Sequence, residues 1–463
     1  MLKPELVEAV LGRALKGGAD FAEVYAQRSK RRRMKVRSGA LEEALSGLDY
    51  GAGVRLFFGT EVVYAYTNDL TQEGLLEALE TLLRAKAPWA RWTRGGGAAW
   101  TSARPPPKAS TPPRCPTGEG QALPPGKASG SRGRGQDRPR DQGGGGEPSG
   151  VGRGGPHRQH RGGLCRGKKV RTRLFVLAVA QDGTEVQTGY AGPGKSVGLE
   201  LFDLYPPKAV GEKAARQALT NLRAKPAPAG TFPVVVGPGF GGVLFHEAVG
   251  HLLETTSVAK KASVLSDKLG EVVASPAVTY IDDGTLPHAF GSTEIDDEGR
   301  PTERTVLIAG GVLKSYMVDR LGHLLTGYPM TGSGRRQDYT FAPTSRMRNT
   351  FLAPGEARVE DLFAGIAFGL YAKEMGGGQV KPGSGEYNFA VQEGYIVRKG
   401  RIEEPVRGAM LVGKGPETLM RVVAVAQDLE NAPGMCGSLS GAVPVEVGQP
   451  HVLVSEIVVG GRA

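Results

Sequence analysis

Three cysteines in 463 residues, Cys115, Cys165 and Cys436, are too few to imply a disulfide framework. Nor does any stretch approach the roughly 18 consecutive apolar residues of a membrane-spanning helix, so no transmembrane segment and no membrane partner are expected. The opening residues, MLKPELVEAVLGRALKGGAD, lack the charged-then-apolar layout of a secretory signal and read as an amphipathic helix. The expected location is therefore cytoplasmic. Hydrophobic content is an ordinary 40%, and the length allows two or three domains with substantial cores.

A more local deficiency divides the chain. Residues 91–170 contain no Ile, Phe, Tyr, Met or Asn, while Gly, Pro and Arg dominate. Such a composition buries too little apolar surface to offset the entropy of ordering it. The segment also holds 16 Lys/Arg against 4 Asp/Glu, whereas the rest of the chain holds 42 against 43. The net charge of +11 thus belongs to this segment alone, and no specific nucleic-acid-binding surface is expected on the folded part. Two readings of residues 91–169 stand side by side. One is a disordered basic linker, on which alone a basic RNA-associated protein could be argued. The other is an out-of-frame translation of a GC-rich gene, since Arg, Gly, Pro, Ala and Ser have GC-rich codons and patterned sequence stops near Arg91 and resumes abruptly with VRTRLFVLAVAQDG.

On either side the patterning is that of folded protein. Leu2, Leu6, Val10, Leu11 and Leu15 form one helical stripe, and several short strands with glycine turns follow, from FAEVYAQ to GVRLFFGTEVVYAYT. A second helix follows Asp69 or Thr71 as N-cap. After the gap come a strand, an Asp182-Gly183 turn, another strand and the helix AVGEKAARQALTNLRAK. Pro226 and Pro228 then break the chain, and from Glu271 onward short strands dominate. The expected class is α+β: an α/β N-terminal region followed by a β-rich C-terminal domain that carries a metal-binding helix. The expected divisions are residues 1–90, the anomalous segment 91–169, a central α/β domain 170–228 and a C-terminal domain 229–463.

The chemistry concentrates in GPGFGGVLFHEAVGHLLE. His246 and His251 flank the carboxylate of Glu247, and zinc favours imidazole nitrogen, with a neighbouring Glu placed to take a proton from water. The spacing is i,i+5, which on a regular helix turns the two rings some 140° apart. A one-residue bulge at Gly250 would bring them together; otherwise one histidine is a cap or a satisfied core residue. Three polar groups on so apolar a segment are costly unless paired or coordinated. A third ligand could be Cys436, Glu254, Asp267, Asp282, Asp283 or His288. The acidic run Glu294, Asp296, Asp297 and Glu298 reads as a solvated turn. GPGFGG lacks the Lys-Ser/Thr of a phosphate loop.

GPGFGGVLFHEAVGHLLE, with GMCGS far downstream, resembles the TldD branch of the TldD/PmbA metallopeptidases. VRSGALEEALSGLDYGAGVRLFFG and TGSGRRQDYTFAPTSRMRNTFLAPG extend the resemblance, which covers residues 1–90 and 170–463. It implies that His246, His251 and Cys436 ligate Zn2+ and that Glu247 is the general base. It also implies a metallopeptidase acting on unfolded or modified peptides, paired with a PmbA/TldE-type paralogue or with itself. The rival function is a non-catalytic peptide-binding subunit with a structural metal, against which the Glu between the two histidines argues.

Overall fold

A computed structural model describes residues 2–90, 145–154 and 163–461; most of the Gly/Pro/Arg-rich segment lies outside them. The chain begins with helix α1 (Pro4–Lys16), two long strands β1 (Phe21–Arg37) and β2 (Ala40–Phe58), β3 (Glu61–Thr67) and helix α2 (Gln72–Ala90). The expected short strands are fused: β1 and β2 form one extended antiparallel hairpin, turned by Ser38 and Gly39 at φ 48° and 83°. Gly51, which reads as a turn, is a paired strand residue, because glycine fits a ladder as well as a corner. Thr71 caps α2, accepting from the Gly74 amide at 3.2 Å, while Asp69 accepts from the amide of Thr71. Both helices bury Val7, Val10, Leu11, Leu75 and Leu79 on the sheet face formed by Ala22, Val24, Val54 and Leu56.

Two strands come from inside the segment that composition set apart. Strand β4 (Gly145–Gly154) pairs antiparallel with β1, and β5 (Gly163–Arg166) pairs with β4. Backbone hydrogen bonds suffice for such pairing, so it makes no demand on the apolar side chains the segment lacks. Next, β6 (Val176–Asp182) and β7 (Glu185–Ala191) form a hairpin against helix α3 (Pro207–Arg223), burying Val210 and Ala214.

The remaining residues build two sheets. In the first, β8 (Gly230–Val236) lies parallel to β12 (Phe368–Lys381), which continues through β13 (Glu386–Arg398) to β14 (Arg401–Arg407). On its other side β8 meets β18 (Val452–Gly460), which leads to β15 (Met410–Lys414); β15 also pairs with β13, so the sheet closes on itself. In the second, β10 (Arg304–Ala309), β9 (Tyr280–Asp283), β11 (Asn349–Leu352), β17 (Gly441–Gln449) and β16 (Glu430–Ser438) follow in spatial order, with β16 at the edge. Helix α4 (Val243–Ala248) contacts β12 and β13 of one sheet and β11 and β17 of the other. This is the α+β class, with the His-containing helix wedged into the β-rich core.

The acidic run is not a solvated turn. Asp296 and Asp297 are buried, and Asp297 accepts from Lys169 Nζ at 2.7 Å and from the Arg336 amide at 2.9 Å. Glu298 and Glu23 share the buried Arg55 guanidinium at 2.6 and 2.7 Å, and Arg336 reaches Glu23 at 2.8 Å. A layer of buried ion pairs therefore joins the first sheet to the C-terminal domain, Arg55 reaching Glu298 and Arg336 reaching Glu23 across 243 and 313 residues of sequence. Sequence alone gave the acids no visible counter-charge. Burial raises the Asp297 carboxyl, but Lys169 and Arg336 overcome it and bring it down to about 2. Its folded value lies below its unfolded one, so its stabilisation is present above about pH 4 and lost as pH falls toward 2. Asp297→Asn is expected to start less stable at pH 7 and to lose about 2 kcal/mol less than the parent between pH 5 and pH 2. Denaturant titrations across that range check this; parallel curves would remove Asp297 from the network.

Candidate metal centre

The strand β8 ends in a glycine turn, Gly239–Gly242, that presses on β17: a Cβ on Gly242 would lie 2.6 Å from the Gly448 carbonyl oxygen. Helix α4 starts there, buries Val243, Leu244, Phe245 and Ala248, and carries His246 inward at 1% exposure. The helix then stops. Val249, at φ −129° and ψ −47°, leaves helical geometry, and a 3₁₀ turn, Gly250–Leu253, carries His251. This break cancels the divergence that the i,i+5 spacing imposes on a continuous helix. Gly250 serves packing rather than a bulge, since a Cβ there would clash with Met347 Sδ.

The two imidazoles meet edge to face, at 82° and with ring centroids 5.6 Å apart. Strand β16 brings Cys436 to them, 1% exposed, with Sγ 3.2 Å from His251 Nε2. One donor atom from each of His246, His251 and Cys436 lies within 4.8 Å of the other two. Among the described residues, no other group of His, Cys, Asp and Glu has this arrangement. The other candidates are engaged elsewhere. Glu254 accepts from His251 Nδ1 at 3.0 Å, and Asp282 accepts from the Arg348 amide at 2.7 Å. Asp283 serves Thr285, Asp267 pairs with Lys261, and His288 is exposed.

The far side of each ring is fixed. His246 Nδ1 lies 2.7 Å from Thr350 Oγ1, leaving its buried Nε2 with no hydrogen-bond partner. His251 Nδ1 is held by Glu254, a carboxylate three residues on in the same turn. Both Nε2 atoms are thus turned toward the thiol. Burial raises the Cys436 thiol, but the two imidazoles prevail and hold it well below the usual thiol range. Burial likewise lowers His251, while Glu254 and Cys436 hold it well above its usual value. Two oriented imidazole nitrogens, one of them an orphaned buried atom, and an ionisable thiol make a donor set that fits zinc. Glu247 stands beside them, its side chain 28% exposed and Oε2 3.5 Å from His251 Nε2.

The sequence reading does not reach Thr350, and it offers Glu254 only as one possible third ligand, whereas here its carboxylate holds the His251 ring. The i,i+3 spacing from His251 was the available signal for Glu254. Thr350, 104 residues from His246, had none.

Three family models match the chain: PmbA/TldA metallopeptidase domain 1 over residues 22–86, the central domain over 160–222 and the C-terminal domain over 229–461. The central match begins ten residues before the sequence boundary set at 170. A Haemophilus influenzae protein, "Metalloprotease TldD homolog", is 42% identical over 299 residues, 62% of this chain and 61% of its own length. A Saccharolobus solfataricus protein, "Zinc metalloprotease TldD homolog", is 30% identical over 62% of this chain and 64% of its own length. The alignments therefore span less than two thirds of these relatives. The crystal structure of TldE from Thermococcus kodakarensis superposes with a TM-score of 0.69 over 98% of this chain and all of that one, at 17% identity, which bears on fold alone.

Proposed function

This chain belongs to the PmbA/TldD metallopeptidase family, and from that premise we propose that it is a zinc-dependent peptidase whose metal is held by His246, His251 and Cys436. The observation that carries this reading is the convergence of those three donors within 4.8 Å, with the Glu247 carboxylate beside them. A zinc ion there would supply Lewis acidity toward a water and toward the scissile carbonyl. The remaining work falls to the chain. Thr350 and Glu254 hold the two rings so that each presents Nε2. Phe245, Val249 and Leu252 keep water from the inner side of the site. Glu247, at the open side, accepts a proton from the attacking water and delivers it to the leaving amine.

The substrate is an extended, unfolded or modified peptide. Strand β16 favours this, because among the described residues nothing pairs with its outer edge and Gly437 leaves that side open. An added strand would lie along Cys436 by main-chain hydrogen bonds, a mode indifferent to most side chains. The enzyme works with a TldE-type paralogue or a second copy of itself, in the cytoplasm; no helix among the described residues is long and apolar enough to cross a membrane. Its working units are residues 1–90, 170–228 and 229–463, the last carrying the chemistry.

Elemental analysis of the full chain and of His246→Ala, beside hydrolysis of an unstructured peptide with and without a TldE-type partner, tests the proposal. One zinc per chain, lost in the variant together with hydrolysis, is the expected result. A folded, metal-free parent would overturn it in favour of a non-catalytic peptide-binding subunit.

A further inference from the structure

Arg346, three residues before β11, is buried at 0% exposure, and its guanidinium reaches two parts of the metal centre at once. Nη2 donates to the Cys436 carbonyl at 2.5 Å. Nη1 donates to the Gly441 carbonyl at 2.9 Å and to Ser440 Oγ at 3.0 Å, on the turn that joins β16 to β17. Nε faces Glu254 Oε1 at 3.7 Å, and neither of these two buried atoms has a hydrogen-bond partner of its own. The other oxygen of Glu254 holds His251 Nδ1, and His251 Nε2 lies against Cys436 Sγ. The path from Cys436 main chain through Arg346, Glu254 and His251 back to Cys436 Sγ is a closed circuit.

We infer that Arg346 is a positioning residue for the metal centre, setting the separation between Cys436 Sγ and the His251 ring through this circuit. The inference rests on the reading of the three donors as ligands. Cys436 sits on an edge strand, paired on one side only among the described residues and followed by an open glycine and an exposed Ser438. Such a strand end opens readily unless another element anchors it. Arg346 supplies the anchor with two nitrogens on carbonyls and a hydroxyl of the same turn. Its remaining edge faces Glu254, a carboxylate at 2% exposure whose other oxygen holds the His251 ring. Glu254, held in place on its Oε1 side, keeps its Oε2 on His251 Nδ1 and so fixes the ring with Nε2 toward Cys436. Only a planar fork reaches all these acceptors in two directions; a lysine ammonium brings the charge without the geometry.

The test uses the full chain, zinc affinity by competition with a chromogenic chelator, and thiolate-to-cobalt absorption after loading with Co2+. Arg346→Lys is expected to bind zinc about 10–100-fold more weakly, with a diminished thiolate-to-cobalt band. Glu254→Gln should lose affinity to a similar degree, and the double variant should lose less than the two together, because both cut one circuit. A lowered melting temperature with parental zinc affinity in the folded protein would mean a structural role only and would overturn the inference. Should Arg346→Lys fail to fold, Glu254→Gln decides: parental affinity and an unchanged cobalt spectrum there overturn it. A folded parent that takes up neither metal fails the metal-site reading itself, whereas uptake by the parent and undiminished uptake by both variants fails only the circuit.

Discussion

Replacing Glu247 by Gln is expected to reduce turnover of an unstructured peptide by about 10²–10⁴-fold while leaving zinc at one per chain. Gln keeps the size of the side chain and its partly exposed place beside His251, 3.5 Å from Nε2. It removes the capacity to take a proton from water and to return one to the departing amine. The loss should fall on kcat, with KM nearly unchanged, because a proton transfer realised only in the transition state contributes little to substrate binding. The contrast with His246→Ala is what makes the experiment informative. His246 is wholly buried, with Nε2 turned into the site, so its removal should take zinc and activity together. Glu247→Gln should take activity alone. Turnover within about fivefold of the parent, at full zinc, would exclude Glu247 as the base.

The legible parts of this fold were those set by local pattern. The stripe from Leu2 to Leu15 became α1, the Asp182-Gly183 turn fell between β6 and β7, and Thr71 capped α2. What was not legible depended on partners remote in sequence. Gly51 reads as a corner because nothing local reveals that β2 runs unbroken from Ala40 to Phe58 beside β1. Asp297 and Glu298 read as solvated because their counter-charges, Lys169 and Arg55, are supplied by other elements. The candidate site divides the same way. His246, Glu247 and His251 were apparent from a short motif, although the break at Val249 that reconciles their spacing was not. Thr350 and Arg346 became visible only when β11 and the segment before it folded beneath α4. Side chains that offer chemistry can be marked by type and spacing; those that aim them are marked by position alone.

Cys436→Ser should lower zinc affinity by more than about 100-fold, beyond the roughly 10–100-fold typical of changes one layer further out. The replacement is close in volume, and a hydroxyl in place of Sγ would still lie near His251 Nε2, now 3.2 Å from the sulfur. The fold around Val443 and Val445 should therefore persist, with a melting temperature near that of the metal-free parent. The donor changes in kind. The two imidazoles hold the thiol well below its usual range, ready as a thiolate, whereas a serine hydroxyl stays protonated at any working pH. Zinc would then keep two imidazoles and lose its only anionic sulfur donor. Parental zinc affinity in a folded Cys436→Ser protein would place the third ligand elsewhere, and Glu247 is the nearest remaining carboxylate to His251 Nε2. Glu247→Gln would in that case release zinc instead of retaining it. Measured together, the two substitutions therefore assign base and ligand without depending on each other.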